Sequence, residues 1–226
     1  HRACRILIGY AAFIHPKRIG PDGELIRSWN GEAGVIVANH QSSLDIIMIL
    51  ATFPKVKFMV ADWVLKSPLF GVISRFLGYY SRSEGYEKSL ERLRVDVADG
   101  WCLAVFPEGT RSLNGKIKRF HKGAFYLASQ VGVPVIPVVF YGNWRIAPKN
   151  QGFNMTEGIA VTEVVAPVST ISAEYHELTV RISSLVKAKY AELCRKYDSP
   201  VNPYFRKALV SSYIYKGPVT EWYVKV

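Results

Sequence analysis

The residue pair best suited to chemistry in this sequence is His40 and Asp45, which lie five positions apart. The apolar residues 34–39 predict a buried strand and residues 42–52 a helix, so the pair falls on a strand-to-helix turn. Across such a turn, Asp45 can fold back and accept a hydrogen bond from one imidazole nitrogen, which leaves the other nitrogen free as a general base. No covalent nucleophile is needed if an acceptor hydroxyl attacks its target directly. The pair alone also fits a structural role, with a helix-capping aspartate beside a buried histidine.

A second cluster follows a predicted strand at residues 102–106 and reads Phe-Pro-Glu-Gly-Thr-Arg-Ser over residues 106–112. Gly109 permits a sharp turn and a close backbone approach, and the planar guanidinium of Arg111 suits a phosphate group. Glu108 can brace Arg111 or bind a substrate hydroxyl. Four further basic residues follow closely: Lys116, Lys118, Arg119 and Lys122. The loop is therefore a candidate anion site, although it also resembles an ordinary polar turn.

Other reactive residue types favour structural roles. Ser42 and Ser43 lie near His40, but no Gly-x-Ser-x-Gly elbow is present and both positions suit helix N-capping. Cys102 lies inside an apolar strand, which predicts a buried, inert thiol. His121 adjoins the basic loop and is either a solvated loop residue or a substrate contact. No metal site is predicted, because three histidines lack metal-ligand spacing with Cys or carboxylates: His15, His121 and His176.

The composition indicates an ordered, basic protein. The 226 residues are 49% hydrophobic and carry a formal net charge of +11. This charge favours a polyanionic partner: nucleic acid, an anionic membrane surface or a phosphorylated substrate. A nucleic-acid-binding module stays an alternative, but no such signature is present and the basic residues cluster at the loop of residues 106–112. Three scattered cysteines favour a reducing compartment over a disulfide framework.

Short apolar runs alternate with longer helical segments along residues 34–197, which predicts an α/β fold with a mixed, largely parallel β-sheet flanked by helices. Five strands are predicted at residues 34–39, 56–60, 102–106, 135–141 and 159–165. Five helices are predicted at residues 42–52, 67–76, 84–99, 122–131 and 173–197. Because the side chains after such strands project into the ligand crevice, His40 is expected to lie in that crevice.

We expect residues 1–198 to form one domain, and residues 199–226 to form a tail or linker towards another domain. No run of about 18 apolar residues predicts a membrane-spanning helix. The chain begins without Met and opens with a basic, apolar stretch, so we interpret it as a piece of a longer protein. Four aromatic residues are candidates for a membrane-facing rim or an acyl tunnel, and equally for ordinary core: Trp63, Phe70, Tyr141 and Trp144.

These segments resemble the glycerolipid acyltransferases, the group that includes the 1-acylglycerol-3-phosphate acyltransferases. The family's Asn-His-x-x-x-x-Asp block is met by Asn39, His40 and Asp45. Its Phe-Pro-Glu-Gly-Thr-Arg-Ser block is met in full at residues 106–112, and its Val-Pro-Val-x-Pro-Val block at residues 133–138. Order and spacing agree over residues 34–142.

The resemblance implies an O-acyltransferase without a cofactor, which uses an acyl-CoA or acyl carrier protein thioester as co-substrate and a lysophospholipid as acceptor. His40 is then the base, Asp45 orients it, and residues 108–111 (Glu108, Gly109, Thr110 and Arg111) bind substrate. The family's Gly-to-Arg block is filled by residues 78–82 at a shorter interval, which makes Arg82 a second phosphate ligand. The tail at residues 215–223 resembles a junction in bacterial multidomain lipid proteins, which favours, as an alternative, a specialised non-glycerolipid acceptor in a multidomain lipid pathway. The family implies peripheral or tethered attachment to an anionic membrane at its cytoplasmic face.

Overall fold

The computed structural model of the chain describes residues 14–149, 155–171 and 173–198. Within these residues, seven strands form one sheet: β1 (Ile14–Ile19), β2 (Val35–Ala38), β3 (Val56–Val60), β4 (Tyr80–Ser81), β5 (Cys102–Val105), β6 (Val135–Tyr141) and β7 (Gly158–Val164). The helices of the same residues are α1 (Leu44–Thr52), α2 (Asp62–Lys66), α3 (Pro68–Phe76), α4 (Tyr86–Ala98), α5 (Gly123–Val131), α6 (Asn143–Ile146) and α7 (Tyr175–Tyr197). The predicted tail at residues 199–226 lies outside this description.

The strand order is β1-β7-β6-β2-β5-β3-β4, and every neighbouring pair is parallel except β6 and β7. The predicted mixed, largely parallel sheet is therefore confirmed. The central strand β2 lies between β5 and β6, in parallel register with both. Parallel neighbours end at the same edge of a sheet, so the loops after these three strands meet there.

Both faces of the sheet are buried, as its continuous apolar strands predict. Val35 and Val37 of β2 point into a core that includes Leu93 of α4, Phe125 of α5 and Leu178 of α7, as well as other residues of these helices. Ile36 and Ala38 of the same strand point to the other face, where α1 contributes Leu44, Met48 and Ile49. The alternation on β2 follows from the two-residue period of a strand.

All five predicted strands and all five predicted helices are present, with ends that differ by at most two residues. Four elements were not predicted: β1, β4, α2 and α6. Strand β1 contains Pro16 together with charged residues, and it pairs only with β7 at the sheet edge, where a proline is tolerated. The other three have two to five residues, which is too short for a hydrophobic period to show.

Candidate active site

Asp45 folds back onto the turn that carries His40, as the spacing predicts. The Asp45 carboxylate has no exposed surface, and its Oδ2 lies 2.8 Å from His40 Nδ1. The same oxygen accepts the backbone N–H groups of Gln41 at 2.6 Å and Ser42 at 2.8 Å. Since a carboxylate surrounded by donors can only accept, His40 carries its proton on Nδ1 and leaves Nε2 as the basic nitrogen.

The turn after His40 uses most of its own backbone donors. Three of the four backbone N–H groups of residues 42–45 are engaged within the turn. Ser42 N donates to Asp45 Oδ2, Leu44 N donates to Ser42 Oγ, and Asp45 N donates to Ser42 O. Ser42 Oγ also donates to Ala147 O at 2.8 Å, so Ser42 is a structural hydroxyl; the helix N-cap is Ser43, whose side chain makes no capping bond.

The His40 ring is held in plane by an aromatic stack. Its centroid lies 3.9 Å from that of Phe106, and the two planes differ by 16°. Phe106 in turn stacks on Phe58 at 6.5 Å, and Tyr79 meets Phe58 edge-on at 5.3 Å. The first residue of the loop after β5 thus packs directly against the candidate base, and stacking together with the Asp45 contact leaves the imidazole one orientation.

Glu108 holds the His40 backbone. It does not brace Arg111, which was one of its two predicted roles. Its Oε1 accepts the N–H of His40 and its Oε2 accepts the N–H of Lys118, each at 2.8 Å. Both carboxylate oxygens therefore accept a backbone N–H group, and the other predicted role of Glu108, binding of a substrate hydroxyl, stays a prediction. Burial raises the pKa of the Glu108 carboxyl above its usual range, an effect that the two backbone donors oppose. Ser112 N donates to His40 O at 2.7 Å, so the loop forms hydrogen bonds with both the N–H and the C=O group of His40.

Basic side chains gather at Gly109, where φ is +71°. A Cβ placed on this glycine would lie 3.8 Å from Arg82 Nη1 and 4.0 Å from His121 Nε2, so both side chains reach the loop. Within the described residues, the side chains of Arg82, Arg111 and His121 have no hydrogen-bond or ion-pair partner. Thr110 Oγ1 accepts from Lys149 Nζ at 3.0 Å. This surface is rich in donors and suits an anion.

The position of Arg82 depends on its flanking residues. It directly follows β4, and its backbone N–H donates to Val60 O at 3.2 Å. The hydroxyls of Ser81 and Ser83, one on each side, both donate to Asp62 Oδ1 at 2.6 and 2.8 Å, and they lower the pKa of that carboxyl. The shortened block before Arg82 is thus tied to the first residue of α2.

The structure also places Cys102 and three of the four aromatic candidates. Cys102 is buried in β5, and burial raises the pKa of its thiol to about 11, which confirms an inert cysteine. Of the four aromatic candidates, Tyr141 is buried and belongs to the core, Trp144 is partly buried, and Trp63 is 72% exposed. The side chain of Phe70 lies outside the described atoms.

Sequence reasoning missed one polar residue of the site, Asn143. Its Nδ2 donates to Asp45 Oδ1 at 2.7 Å, so the carboxylate accepts four N–H groups in all. Asn143 follows β6 and Gly142, and the position just after a strand is the same signal that singled out His40. Asn39, at the end of β2, bonds both backbone groups of Phe140 in β6 and aligns the two strand ends.

Comparison with known proteins agrees with this geometry. The family described as Acyltransferase matches residues 22–141, more than half of the chain. The chain therefore belongs to the acyltransferase family. The matched residues include the His40 turn and the whole loop of residues 106–112.

Two curated relatives and one solved structure illustrate the similarity. The chain is 36% identical over 118 residues to the chloroplastic 1-acyl-sn-glycerol-3-phosphate acyltransferase BAT2 of Brassica napus, over 50% of this chain and 34% of that protein. It is 36% identical over 148 residues to the 1-acyl-sn-glycerol-3-phosphate acyltransferase of Saccharomyces cerevisiae, over 60% of this chain and 47% of that protein. The chain thus spans between a third and a half of the length of these relatives. The crystal structure of the 1-acyl-sn-glycerophosphate (LPA) acyltransferase PlsC from Thermotoga maritima matches with a TM-score of 0.69 and 28% identity, over 85% of this chain and 78% of that one.

Within the described residues, none of the helices has the length and apolar character needed to cross a membrane.

Proposed function

We propose that this chain transfers a fatty acyl group from a thioester, acyl-CoA or acyl carrier protein, to a hydroxyl of a lysophospholipid. The observation that carries the proposal is the oriented base: His40 is fixed on Nδ1 by Asp45, on its ring face by Phe106 and on its backbone by Glu108. Membership of the acyltransferase family supports the reaction class, and the names of the relatives support a lysophosphatidic acid acceptor.

In this proposal, the acceptor hydroxyl is deprotonated by His40 Nε2 as its oxygen attacks the thioester carbonyl carbon. A new C–O bond forms, and the tetrahedral intermediate expels the thiolate as the C–S bond breaks. The imidazolium of His40 then returns its proton to the sulfur. Asp45 stays ionised and stabilises the imidazolium between these two transfers.

The acceptor's phosphate is assigned to the basic surface at Gly109. Arg82 supplies a guanidinium group beside Gly109. In the proposal, Arg111 of the same loop supplies a second one, and Gly109 and Thr110 supply the backbone that approaches the anion. Holding the phosphate places the hydroxyl near His40, which converts a bimolecular encounter into an oriented reaction. We retain a specialised, non-glycerolipid acceptor as the alternative, since the shortened block before Arg82 alters this part of the site.

An assay of the purified chain tests this function. It uses acyl-CoA and acyl carrier protein donors against lysophosphatidic acid, lysophosphatidylcholine and a monoacylglycerol, with products read by mass spectrometry. We expect acylated lysophosphatidic acid from the native chain and none from His40→Ala. A matched control is His176→Ala, which removes an exposed histidine at the start of α7 and is expected to retain full activity. Full turnover by folded His40→Ala contradicts the assignment of the base.

The proposal includes an anionic membrane as partner, at its cytoplasmic face, where CoA and carrier-protein thioesters are made. The supporting surface consists of the helices α2 and α3 and of Leu77, the residue that follows α3. Four large apolar side chains are exposed there, namely Trp63, Val72, Phe76 and Leu77, and Phe76 is 89% exposed. Lys66 and Arg75 end the two helices with positive charge. Exposed apolar groups flanked by cations suit the interface of an anionic bilayer.

Vesicle flotation tests this surface. The native chain is expected to float with vesicles of phosphatidylglycerol and phosphatidylcholine, and the double variant Trp63→Ser and Phe76→Ser is expected to stay in the soluble fraction. Val180→Ser removes an equally exposed apolar residue from α7 and serves as the control. Equal flotation of the native chain and the double variant excludes α2 and α3 as the docking surface.

A further inference from the structure

The short helix α6 lies directly behind the His40 turn, and its position is set by the end of β6. Gly142 joins the two elements with φ of +87°. A Cβ on this glycine would lie 2.0 Å from Ile159 O in β7, so the chain turns tightly against its neighbouring strand. The turn brings Asn143, the next residue, under Asp45.

The Asn143 amide makes one specific contact. The residue has no exposed surface, and its Nδ2 lies 2.7 Å from Asp45 Oδ1. A carboxylate can only accept, so the group facing it must be the NH₂ end of the amide. Within the part of the chain that the structure describes, Asn143 Oδ1 has no hydrogen-bond partner. Burial of this side chain therefore has a cost in free energy, which the hydrogen bond to Asp45 must offset.

Helix α6 is anchored from two sides. Arg145 Nη1 donates to Asp198 Oδ1 at 2.7 Å, just beyond α7, and to the Tyr141 hydroxyl at 2.8 Å. On the other side, Ser42 Oγ donates to Ala147 O at 2.8 Å, which ties the end of α6 to the turn between His40 and Asp45. The amide of Asn143 is therefore held by a rigid element and does not simply follow Asp45.

We propose that Asn143 is a positioning residue. Its Nδ2 holds Oδ1 of the Asp45 carboxylate, while Oδ2 of the same carboxylate orients the His40 ring. Oδ2 already serves three donors, and rotation of the carboxylate about its Cβ–Cγ bond would disturb all of them. The bond from Asn143 blocks this rotation. It also partly neutralises the carboxylate, which sets how strongly Asp45 favours the imidazolium of His40.

The inference rests on the proposed function, since His40 matters as a base only if the acyl transfer occurs. Among the described residues, two titratable groups lie near Asp45: His40 in the same turn, and Glu108 from the loop after β5. Arg145 of α6 directs its charge towards Asp198. A change at Asn143 thus acts on Asp45 and, through it, on His40.

Two substitutions of similar size separate positioning from packing. Asn143→Leu keeps the volume and removes the donor. Asn143→Asp keeps the shape and places a second carboxyl group beside Asp45; because two buried carboxyl groups this close share one proton, the new side chain still donates a hydrogen bond. We expect kcat to fall about 10- to 100-fold in Asn143→Leu, because a bond to a charged group is lost, and to stay closer to the native value in Asn143→Asp, with KM nearly unchanged in both.

The matched control is Thr162→Val in β7. Thr162 is also fully buried, its hydroxyl has no hydrogen-bond partner among the described residues, and it lies outside the candidate site. We expect the native kcat from this variant. If Asn143 only fills space, Asn143→Leu and Asn143→Asp lose the same activity, and that result would overturn the proposal.

NMR of histidine labelled with ¹⁵N supplies a readout that does not require turnover. We expect the ¹⁵N signals of His40 to show the proton on Nδ1 in the native chain, in Asn143→Asp and in Thr162→Val, and a mixture of the two tautomers in Asn143→Leu. Native His40 signals in folded Asn143→Leu overturn the positioning role. A native chain that transfers no acyl group, but whose His40 signals respond to Asn143→Leu, overturns the proposed function alone.

Discussion

Replacing Asp45 by asparagine removes one charge from the candidate site while the hydrogen bonds around it can persist. Three N–H groups converge on Asp45 Oδ2, from His40, Gln41 and Ser42, and they hold an amide oxygen at the same place. The new NH₂ group then faces Asn143, whose amide can turn over and offer its Oδ1, an atom that has no hydrogen-bond partner among the described residues of the native chain. The His40 tautomer is therefore expected to survive in Asp45→Asn.

The loss of activity then measures the stabilisation of the imidazolium by the charge alone. The ring nitrogen and the carboxylate oxygen are 2.8 Å apart, which places the centres of the two charges about 4 Å apart. At an effective dielectric constant of about 20, this attraction is about 4 kcal/mol. Because about 1.4 kcal/mol corresponds to a tenfold change in rate, kcat is expected to fall about 10³-fold.

Steady-state kinetics of Asp45→Asn, combined with its thermal unfolding and the ¹⁵N signals of His40, form the assay. A kcat within about tenfold of the native value, in a variant with the native unfolding temperature and the native tautomer, would refute the role of Asp45 charge. Asp45→Ala is the less informative change. It leaves the N–H groups of Gln41, Ser42 and Asn143 buried without an acceptor, at about 1–3 kcal/mol each, so that stability and activity fall together.

Two further predictions concern stability, measured by urea unfolding. Glu108→Gln sets an NH₂ group against the N–H of His40 or Lys118, and we expect it to lower the free energy of unfolding by about 1–3 kcal/mol. Burial raises the pKa of Glu108, so its contribution to the free energy of unfolding is complete below the ordinary pKa of 4.5 and declines as pH rises through the raised value. The loss of unfolding free energy in the variant should therefore be larger at pH 4 than at pH 7. A loss that grows with pH contradicts this sign. Gly142→Ala is expected to cost about 2–4 kcal/mol, from the positive φ and the contact with β7, whereas Gly132→Ala, at φ +74° with open space around it, should cost about 1 kcal/mol. Equal losses in the two glycine variants would show that the contact with β7 carries no strain.

The parts of the site that sequence reasoning predicted correctly are local in the chain. His40 and Asp45 are five residues apart, and a strand followed by a helix brings them together in almost any α/β fold. One of the two roles predicted for Glu108, the bracing of Arg111, was wrong because the partners of Glu108 are close in space and distant in sequence: His40 lies 68 residues away. A glutamate and an arginine in one loop suggest an ion pair. Buried backbone N–H groups require acceptors, however, and those of His40 and Lys118 donate to the two carboxylate oxygens of Glu108.

The sequence by itself determined the order and type of the main elements, through the periods of their apolar residues, and the chemical groups that stand at the strand ends. It also determined the family, through blocks of residues whose order agrees with known acyltransferases. Tertiary structure alone decided that β2 lies between β5 and β6, and hence that Glu108 and Asn143, 68 and 98 residues from their partners, meet the same turn. The physical reason is that a buried polar group must find a partner among whatever the packed strands bring within reach, and that neighbourhood has no period along the chain.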